Sequence, residues 1–440
     1  MINPNNLKIN LTPAEEDILR GGQGLAMAKV MQTVVIYAEA LGAERLAEIE
    51  GPGHFVIPWA SPGIAPPIEM LEELVAAGLK TKFPFTLDPR PPFDFENLNL
   101  SLEVEEAIKE MYKDQTRYDE LMIQLGLRDE NAYTCNPYQP EVGNIPGPGT
   151  VLAWSESASA VYANSVLAAR TNRNGAIMDL LSNIAGKTPY TGLITDQGRK
   201  ANWLVEVATE DLPNPHLLGA AIGEYVQSGV PYIVGLDRFL GVGISPENID
   251  YLQEMGAIIA TYSAVDLYHV ENITPEAVKQ NRNLLLPTHS NYTISDDELL
   301  RQSTSYPLLW SDGEVVPDKC FIGCPHLSLR QLNWWSENIQ SALQKRQQVE
   351  VSVQTTICAA PQVLTKFKSE GDSYTKLVNS GVTLSPTCSE TIFETGLCTG
   401  KPIITNSNKL RAYTSARFFV DEDLIEILVS GEIPGANKHE

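Results

Sequence analysis

Three cysteines of this 440-residue chain sit in polar, turn-rich settings: Tyr133-Thr-Cys135-Asn-Pro137-Tyr138, Ile322-Gly-Cys324-Pro-His326 and Ser385-Pro-Thr-Cys388-Ser-Glu390. A cysteine used for packing usually lies inside an apolar run, as Cys358 does before Ala359-Ala360. Glycine or proline near each of the three suits a turn that brings backbone close to a bulky inorganic centre. Ser328 starts a helix just past Cys324 and His326, and a helix N-terminus offers free N–H groups to anionic thiolates. The separations are far wider than those of a zinc ribbon or a ferredoxin motif, so on spacing alone metal ligation and simple thiol burial both stay open. Cys320 offers a fourth ligand, and Cys398 in Gly396-Leu-Cys-Thr-Gly400 reads as loop packing.

A second constellation runs from Ala153-Trp-Ser-Glu156-Ser157 to Asn164 and Arg170-Thr171-Asn172-Arg173. Glu156, Ala160 and Asn164 share one face of a helix that has no lysine and is otherwise small and apolar, a pattern unsuited to a solvated surface. Its exit places two guanidinium groups and two short polar side chains in one turn, which fits a carboxylate or phosphate held by paired hydrogen bonds. A structural ion pair in a buried interdomain helix is the alternative. A third group, Thr405-Asn406-Ser407-Asn408-Lys409, follows the apolar run Pro402 to Thr405. Ligand sites of open α/β sheets lie at the carboxyl ends of strands, which would place Ser407 and Lys409 well, although an ordinary strand-to-helix turn reads the same way.

The elements that must carry these groups are legible in outline. Leu11-Thr12-Pro13-Ala14-Glu15 has a capping residue, a first-turn proline and a capping-box glutamate, and opens a helical pattern reaching about Ile49. Gly51-Pro52-Gly53-His54 and Pro58, Pro62, Pro66 and Pro67 break that pattern into an irregular loop. Helices are expected around Ile68 to Ala77 and Glu103 to Leu125. Beyond Val151, short apolar runs alternate with helices: Val151 to Trp154, Pro231 to Gly235, Ala257 to Ala260, Glu350 to Gln354 and Pro402 to Thr405. That alternation predicts a multi-domain, layered α/β/α fold with mostly parallel sheets. A division into residues 1–280, carrying the Arg-Thr-Asn-Arg turn, and residues 281–440, carrying Cys324, Cys388 and Lys409, places the cysteines at the interface.

With 55 acidic residues against 32 basic ones, a formal charge of −23, the chain would repel nucleic acid and anionic lipid, so neither is expected as a partner. No run of about 18 apolar residues spans a membrane and no signal-peptide order opens the chain, so a cytoplasmic location is expected. Six cysteines in this length do not make a disulfide scaffold.

Taken together, these segments resemble the aconitase X family. The resemblance rests on Leu-Thr-Pro-Ala-Glu-Glu at the start, Tyr-Thr-Cys135-Asn-Pro-Tyr, the Ala-Trp-Ser-Glu-Ser to Ala-Arg-Thr-Asn-Arg block, His269 with Thr274-Pro-Glu-Ala277, Gly323-Cys-Pro-His326-Leu-Ser, Thr387-Cys388 and Thr405-Asn-Ser-Asn-Lys409. It implies an aconitase iron-sulfur domain-like fold and a hydro-lyase in which Cys135, Cys324 and Cys388 hold an iron-sulfur cluster, 4Fe-4S or 2Fe-2S, or a single iron. It further implies Lys409, His326 and Ser407 beside the reacting atoms, and His54, Glu156, Ser157, Asn164, Arg170, Thr171, Asn172 and Arg173 around the substrate. In aconitase-like enzymes the base is a serine on a separate swivelling domain, which the resemblance leads one to expect on a separate small subunit, the implied partner.

The family dehydrates cis-3-hydroxy-L-proline or mevalonate 5-phosphate, and the first is favoured because a phosphate would call for more basic residues than Arg170, Arg173 and Lys200 provide. Two segments depart from the family pattern: His54-Phe-Val-Ile-Pro-Trp59-Ala-Ser-Pro-Gly63, which is more apolar, and Pro84-Phe85-Thr86-Leu87-Asp88, where the family has Pro-Thr-Thr-Leu-Asn. Readings of another class are a metal-free enzyme with Cys324 as nucleophile activated by His326, and a non-catalytic scaffold subunit.

Overall fold

The computed structural model describes residues 8–56, 65–98, 100–307, 309–310, 316–394, 398 and 400–433. The departure at His54 to Gly63 lies mostly outside the described residues, although His54 itself is within them. Local signals start the helices as the sequence predicts. Thr12 accepts from the Glu15 N–H and the Glu15 carboxylate accepts from the Thr12 N–H, closing the capping box of the helix Pro13–Leu19. Ser328 and Gln331 do the same for the helix Leu329–Arg346.

Three bodies of core follow along the chain. In the first, the helices Leu25–Ala40, Gln115–Leu125 and Ala176–Ala185 bury Met31, Val34, Leu121, Leu125 and Leu180 against Phe55 and Phe85. In the second, a parallel four-stranded sheet runs in the order His269–Val270, Pro231–Val234, Ala201–Val207, Leu285–Ile294. It shares a core with the helices Ser157–Ser165, Pro215–Val226 and Ile249–Tyr262. In the third, a parallel five-stranded sheet runs in the order Val382–Ser385, Gln354–Ala359, Lys319–Leu327, Ile403–Thr405, Arg417–Phe418. The α/β architecture with largely parallel sheets is the one the alternating runs predict.

Several elements differ from their sequence reading: Val151 to Trp154 forms only single bridges, and Glu350 to Gln354 leads into a strand that runs Gln354–Ala359. Ala257 to Ala260 belongs to the helix Ile249–Tyr262 rather than to a strand. That helix is buried on nearly all sides and packs on the helix Pro215–Val226, where a Cβ on Gly219 would come within 2.6 Å of the Met255 carbonyl oxygen. An apolar run in such a place carries no helical period to read. The division at residues 280 and 281 also falls inside a body, because Leu285–Ile294 pairs along Ala201–Val207 and completes the four-stranded sheet. It is an edge strand with mostly exposed polar residues and Pro287, so it reads as a loop. The five-stranded sheet begins only at Lys319.

The second and third bodies are fastened by polar contacts between the helices Ile249–Tyr262 and Leu329–Arg346. Asp250 accepts from Arg330 Nε at 2.9 Å and Nη2 at 2.6 Å and from the Ser328 hydroxyl at 3.1 Å, while Gln331 donates to Glu254 at 2.5 Å. No helix among the described residues is long and apolar enough to cross a membrane.

Candidate metal centre and active site

Two sets of parallel extended segments point their carboxyl ends toward one another's side chains. In the first set, His54–Phe55 pairs in parallel with Thr86–Leu87, and single bridges add Trp154 beside His54 and Tyr133 beside Leu87. The residues at or just past these short segments are His54, Asp88, Cys135 and Glu156. In the second set, Cys324 lies in the strand Lys319–Leu327, Cys388 follows Val382–Ser385, and Ser407 and Lys409 follow Ile403–Thr405. Carboxyl ends of parallel strands are where α/β sheets present backbone and side chains to ligands.

Cys324 lies where the pairing of its strand is irregular. The register with Gln354–Ala359 shifts after Ile357, Gly323 adopts φ +96°, and the Cys324–Pro325 peptide is cis. Only glycine fits at position 323, because a Cβ there would lie 2.3 Å from the Cys358 carbonyl oxygen.

His326 ties the three cysteine segments together. Its backbone N–H donates to Cys135 Sγ at 3.1 Å, and its carbonyl accepts from the Asn136 amide. Ring Nε2 donates to the Thr387 carbonyl at 3.3 Å, so Nδ1 is the acceptor for the Thr134 hydroxyl at 3.2 Å. Burial pushes its pKa down to about 4, and with both nitrogens committed the ring is a neutral tie rather than a free proton carrier. The same commitments leave it unable to activate Cys324, whose thiol burial pushes up to about 11, against the thiol-nucleophile reading.

Lys409 Nζ stands 3.2 Å from Glu156 Oε1, with both side chains buried. Glu156 also caps the helix Ser157–Ser165, its Oε2 accepting from the Ser159 N–H at 2.6 Å and hydroxyl at 2.7 Å, while Ser157 donates to Oε1 at 3.2 Å. Burial works to raise the Glu156 pKa, but Lys409, His54 and the Ser159 donors overcome it and hold the carboxyl at about 2. Ser407 caps the helix Asn408–Tyr413 and donates its hydroxyl to the Cys324 carbonyl, joining the lysine's helix to the cysteine's strand.

His54, Asp88 and Glu156 bring ligand-type atoms within 4.8 Å of one another. Lys409 already supplies a cation on Glu156, which disfavours a metal ion there. His54 Nδ1 bonds Thr86 Oγ1 at 2.9 Å, and among the described residues His54 Nε2 and Asp88 Oδ1 are buried without a partner, free for a ligand. Burial first, then Glu156 and Glu390, raise the Asp88 carboxyl well above its usual range against the pull of Lys409.

Residues 8–197 of the chain match Aconitase X first domain, and residues 201–303 match Aconitase X second domain. A phosphomevalonate dehydratase large subunit of Thermococcus kodakarensis is 33% identical over 324 residues, 73% of this chain and 75% of that protein. The chain belongs to the aconitase X family. It is accordingly an enzyme of the hydro-lyase class. The phosphomevalonate dehydratase large subunit of Methanocaldococcus jannaschii is 29% identical over 92% of this chain and 94% of its own length. A cis-3-hydroxy-L-proline dehydratase of Pseudomonas aeruginosa is 26% identical over 96% of this chain and 70% of that protein. The crystal structure of Thermococcus kodakaraensis aconitase X in its holo-form superposes with a TM-score of 0.78 at 28% identity, covering 96% of this chain and all of that one.

Of the site residues the sequence singles out by aconitase X likeness, the structure gathers His54, Cys135, Glu156, Ser157, Cys324, His326, Cys388, Ser407 and Lys409. It does not bring the Arg-Thr-Asn-Arg turn to them. Arg170 pairs with Asp196 at 2.5 Å, Thr171 bonds the Trp154 backbone, Asn172 bonds Thr191 and Leu193, and Arg173 faces Asp266 at 3.0 Å. Asn164, fully buried, spends both ends of its amide on Thr171, Asp266 and Arg199. In this structure these side chains bond to protein partners brought in from elsewhere in the chain. Cys320 lies in the apolar core and Cys398 in a smaller cluster with Phe321 and Ile403. The site gains Asp88 and Glu390, and the departure Phe85-Thr-Leu-Asp88 is the signal that could have pointed to the first.

Proposed function

We propose that this chain is the large subunit of an iron-sulfur-dependent dehydratase that removes water from a small hydroxy acid, with Cys135, Cys324 and Cys388 as the ligands. The observation that carries this reading is the convergence of three thiols from separate elements around one histidine, with a buried lysine beside them. The thiols come from three separate elements that meet at His326: Cys135 accepts from its N–H, Cys324 lies two residues before it, and its ring bonds the Thr387 carbonyl next to Cys388. That convergence suits thiolates bound to different irons of one cluster. Burial raises all three thiols, so ligation would displace protons, and the His326 N–H at Cys135 is the kind of donor that steadies a bound thiolate. When bound, such a cluster with an open iron supplies a Lewis acid for a substrate hydroxyl.

The chain's own residues have separable tasks. Lys409, oriented by Glu156, offers its remaining donors to the substrate carboxylate. Asp88, kept protonated by burial, can donate to the departing oxygen, and His54 Nε2 can bond a second polar group. The base that takes the carbon-bound proton is assigned to the small subunit, a partner supported by the naming of relatives as large subunits.

For the substrate, the charge around Lys409 favours a cis-3-hydroxy-L-proline-like molecule. Glu156 and Glu390 act on one ammonium group, a setting that suits a cationic ring nitrogen and disfavours a phosphate dianion. Mevalonate 5-phosphate is the second reading, favoured by the higher identity to phosphomevalonate dehydratase large subunits. Anaerobic purification with a co-expressed small subunit, iron and sulfide analysis, a visible spectrum and assays of both substrates test the proposal. Turnover by a colourless, iron-free preparation would overturn the metal reading, and turnover of mevalonate 5-phosphate alone would replace the substrate.

A further inference from the structure

A cavity of about 660 Å³ opens between the loop that precedes the strand Ala201–Val207 and the helix Pro275–Gln280. Its charged lining is Arg170, Arg199, Lys200 and Lys279 against Asp196 and Glu276. In a chain with 55 acidic and 32 basic residues, a net cationic cavity runs against composition.

The two carboxylates are already taken. Arg199, 1% exposed, donates Nε to Glu276 at 2.9 Å and Nη2 at 2.7 Å, and spends its other N–H groups on Asn164 and the Leu193 carbonyl. Arg170 pairs with Asp196 and donates to the Ile194 carbonyl at 2.9 Å. Among the described residues neither Lys200 nor Lys279 has a carboxylate partner. Lys200 Nζ donates to the Asn283 carbonyl at 2.7 Å, which orients the ammonium without neutralising it and leaves donors to spare. The lining therefore carries two uncompensated positive charges beside two immobilised guanidinium planes.

We propose that this cavity binds a small phosphate monoester, at a site separate from the Lys409 centre and independent of the reading given above. The charge count selects the ligand class. A phosphate monoester carries about −1.5 to −2 at neutral pH and presents three acceptor oxygens, matching two ammonium groups with free donors. A planar monocarboxylate would answer only half of that charge. The lysine's compact ammonium is a phosphate binder in its own right.

The test is isothermal titration of the full chain, purified as holoenzyme, with inorganic phosphate at pH 8 and low salt, and with acetate as the monoanion comparison. One saturable phosphate site is expected, weakening at least about tenfold in Lys200→Glu/Lys279→Glu, a change of roughly 1.4 kcal/mol. Lys200→Met/Lys279→Met should give an intermediate loss, which guards against misfolding of the charge-reversed protein. Absence of saturable phosphate binding up to roughly 20 mM, about −2.3 kcal/mol, would overturn the proposal. So would an affinity that both double variants leave unchanged, or acetate binding as tightly as phosphate.

Discussion

His216 Nδ1 accepts a hydrogen bond from the backbone N–H of Asn408 at 3.2 Å, linking the helix Pro215–Val226 to the turn that delivers Lys409. Burial pushes the imidazole pKa down to about 3, so the ring is neutral and that nitrogen is an acceptor. Asn408 is held on every side. Its amide donates to Tyr306 Oη at 2.6 Å and to the His216 carbonyl at 3.3 Å, and its Oδ1 accepts from Tyr262 at 2.9 Å and Arg411 at 2.9 Å. A residue in the second body thus positions the lysine of the third.

The His216 contact predicts an ordered series of variants. His216→Asn places an acceptor oxygen where Nδ1 stood, whereas His216→Gln places its polar atoms one bond further out and His216→Phe has none. Loss of a buried hydrogen bond of this kind costs about 1–3 kcal/mol. Asparagine should therefore keep kcat near wild type, and glutamine and phenylalanine should lower it by about tenfold or more. Equal losses in all three, measured by steady-state kinetics at matched iron content, would show that His216 serves only as volume.

The Lys409–Glu156 pair predicts a coupled cost in stability. Removing one partner of a buried ion pair leaves an uncompensated charge and costs about 3–5 kcal/mol. Lys409→Met and Glu156→Gln should each lower Tm by several degrees, and the double variant should lower it by less than the sum. Thermal denaturation of the four proteins reads the coupling directly, and strict additivity would mean that the pair is not buried together. All three variants should be inactive, since the proposed function makes Lys409 the substrate-facing cation and Glu156 the group that orients it.

What the sequence made legible was local. The capping boxes at Thr12 and Ser328 need only residues three apart, and the turn-rich settings of Cys135, Cys324 and Cys388 are visible in their immediate neighbours. The carboxylates that pair with the Arg170–Arg173 turn, Asp196 and Asp266, are not legible beside it because tertiary structure brings them in. Ala257–Ala260 and Leu285–Ile294 fail for opposite reasons. The first is apolar on every side of its helix, and the second is polar along most of an edge strand. Hydrophobic period reports one-sided burial and is silent in both cases.

Gly323 predicts a strong and specific defect. Gly323→Ala would set a Cβ 2.3 Å from the Cys358 carbonyl oxygen at a φ of +96°, so the strand must move where it presents Cys324. Gly371, at φ +65° with nothing within 4 Å of its Cβ, is the comparison. Gly371→Ala should cost about 1 kcal/mol from its backbone angle alone. Gly323→Ala should cost more than about 3 kcal/mol, adding backbone strain to steric displacement, and should reduce the iron retained after anaerobic reconstitution. Iron content unchanged in Gly323→Ala would separate the glycine from the metal centre.

Asp179 predicts a pH dependence of stability remote from the site. Its side chain is fully buried in the helix Ala176–Ala185, its Oδ1 accepts from Asn174 at 3.0 Å, and its Oδ2 has no hydrogen-bond partner among the described residues. Burial pushes its pKa to about 7, against the opposing hydrogen bonds from Asn174 and Gly175. The folded-state value thus lies above the unfolded one of 3.8. The neutral carboxyl's contribution is fully present below pH 3.8 and is lost as pH rises through about 7, because unfolding lets the carboxyl ionise in water. Asp179→Asn keeps the Oδ1 acceptor and carries no charge at any pH. Its stability relative to wild type should therefore improve by roughly 2–3 kcal/mol between pH 5 and pH 8, at about 1.4 kcal/mol per pH unit up to the folded pKa and little beyond it. Denaturant melts at the two pH values measure the difference, and a gap that stays constant would mean that Asp179 is ionised in the folded protein throughout.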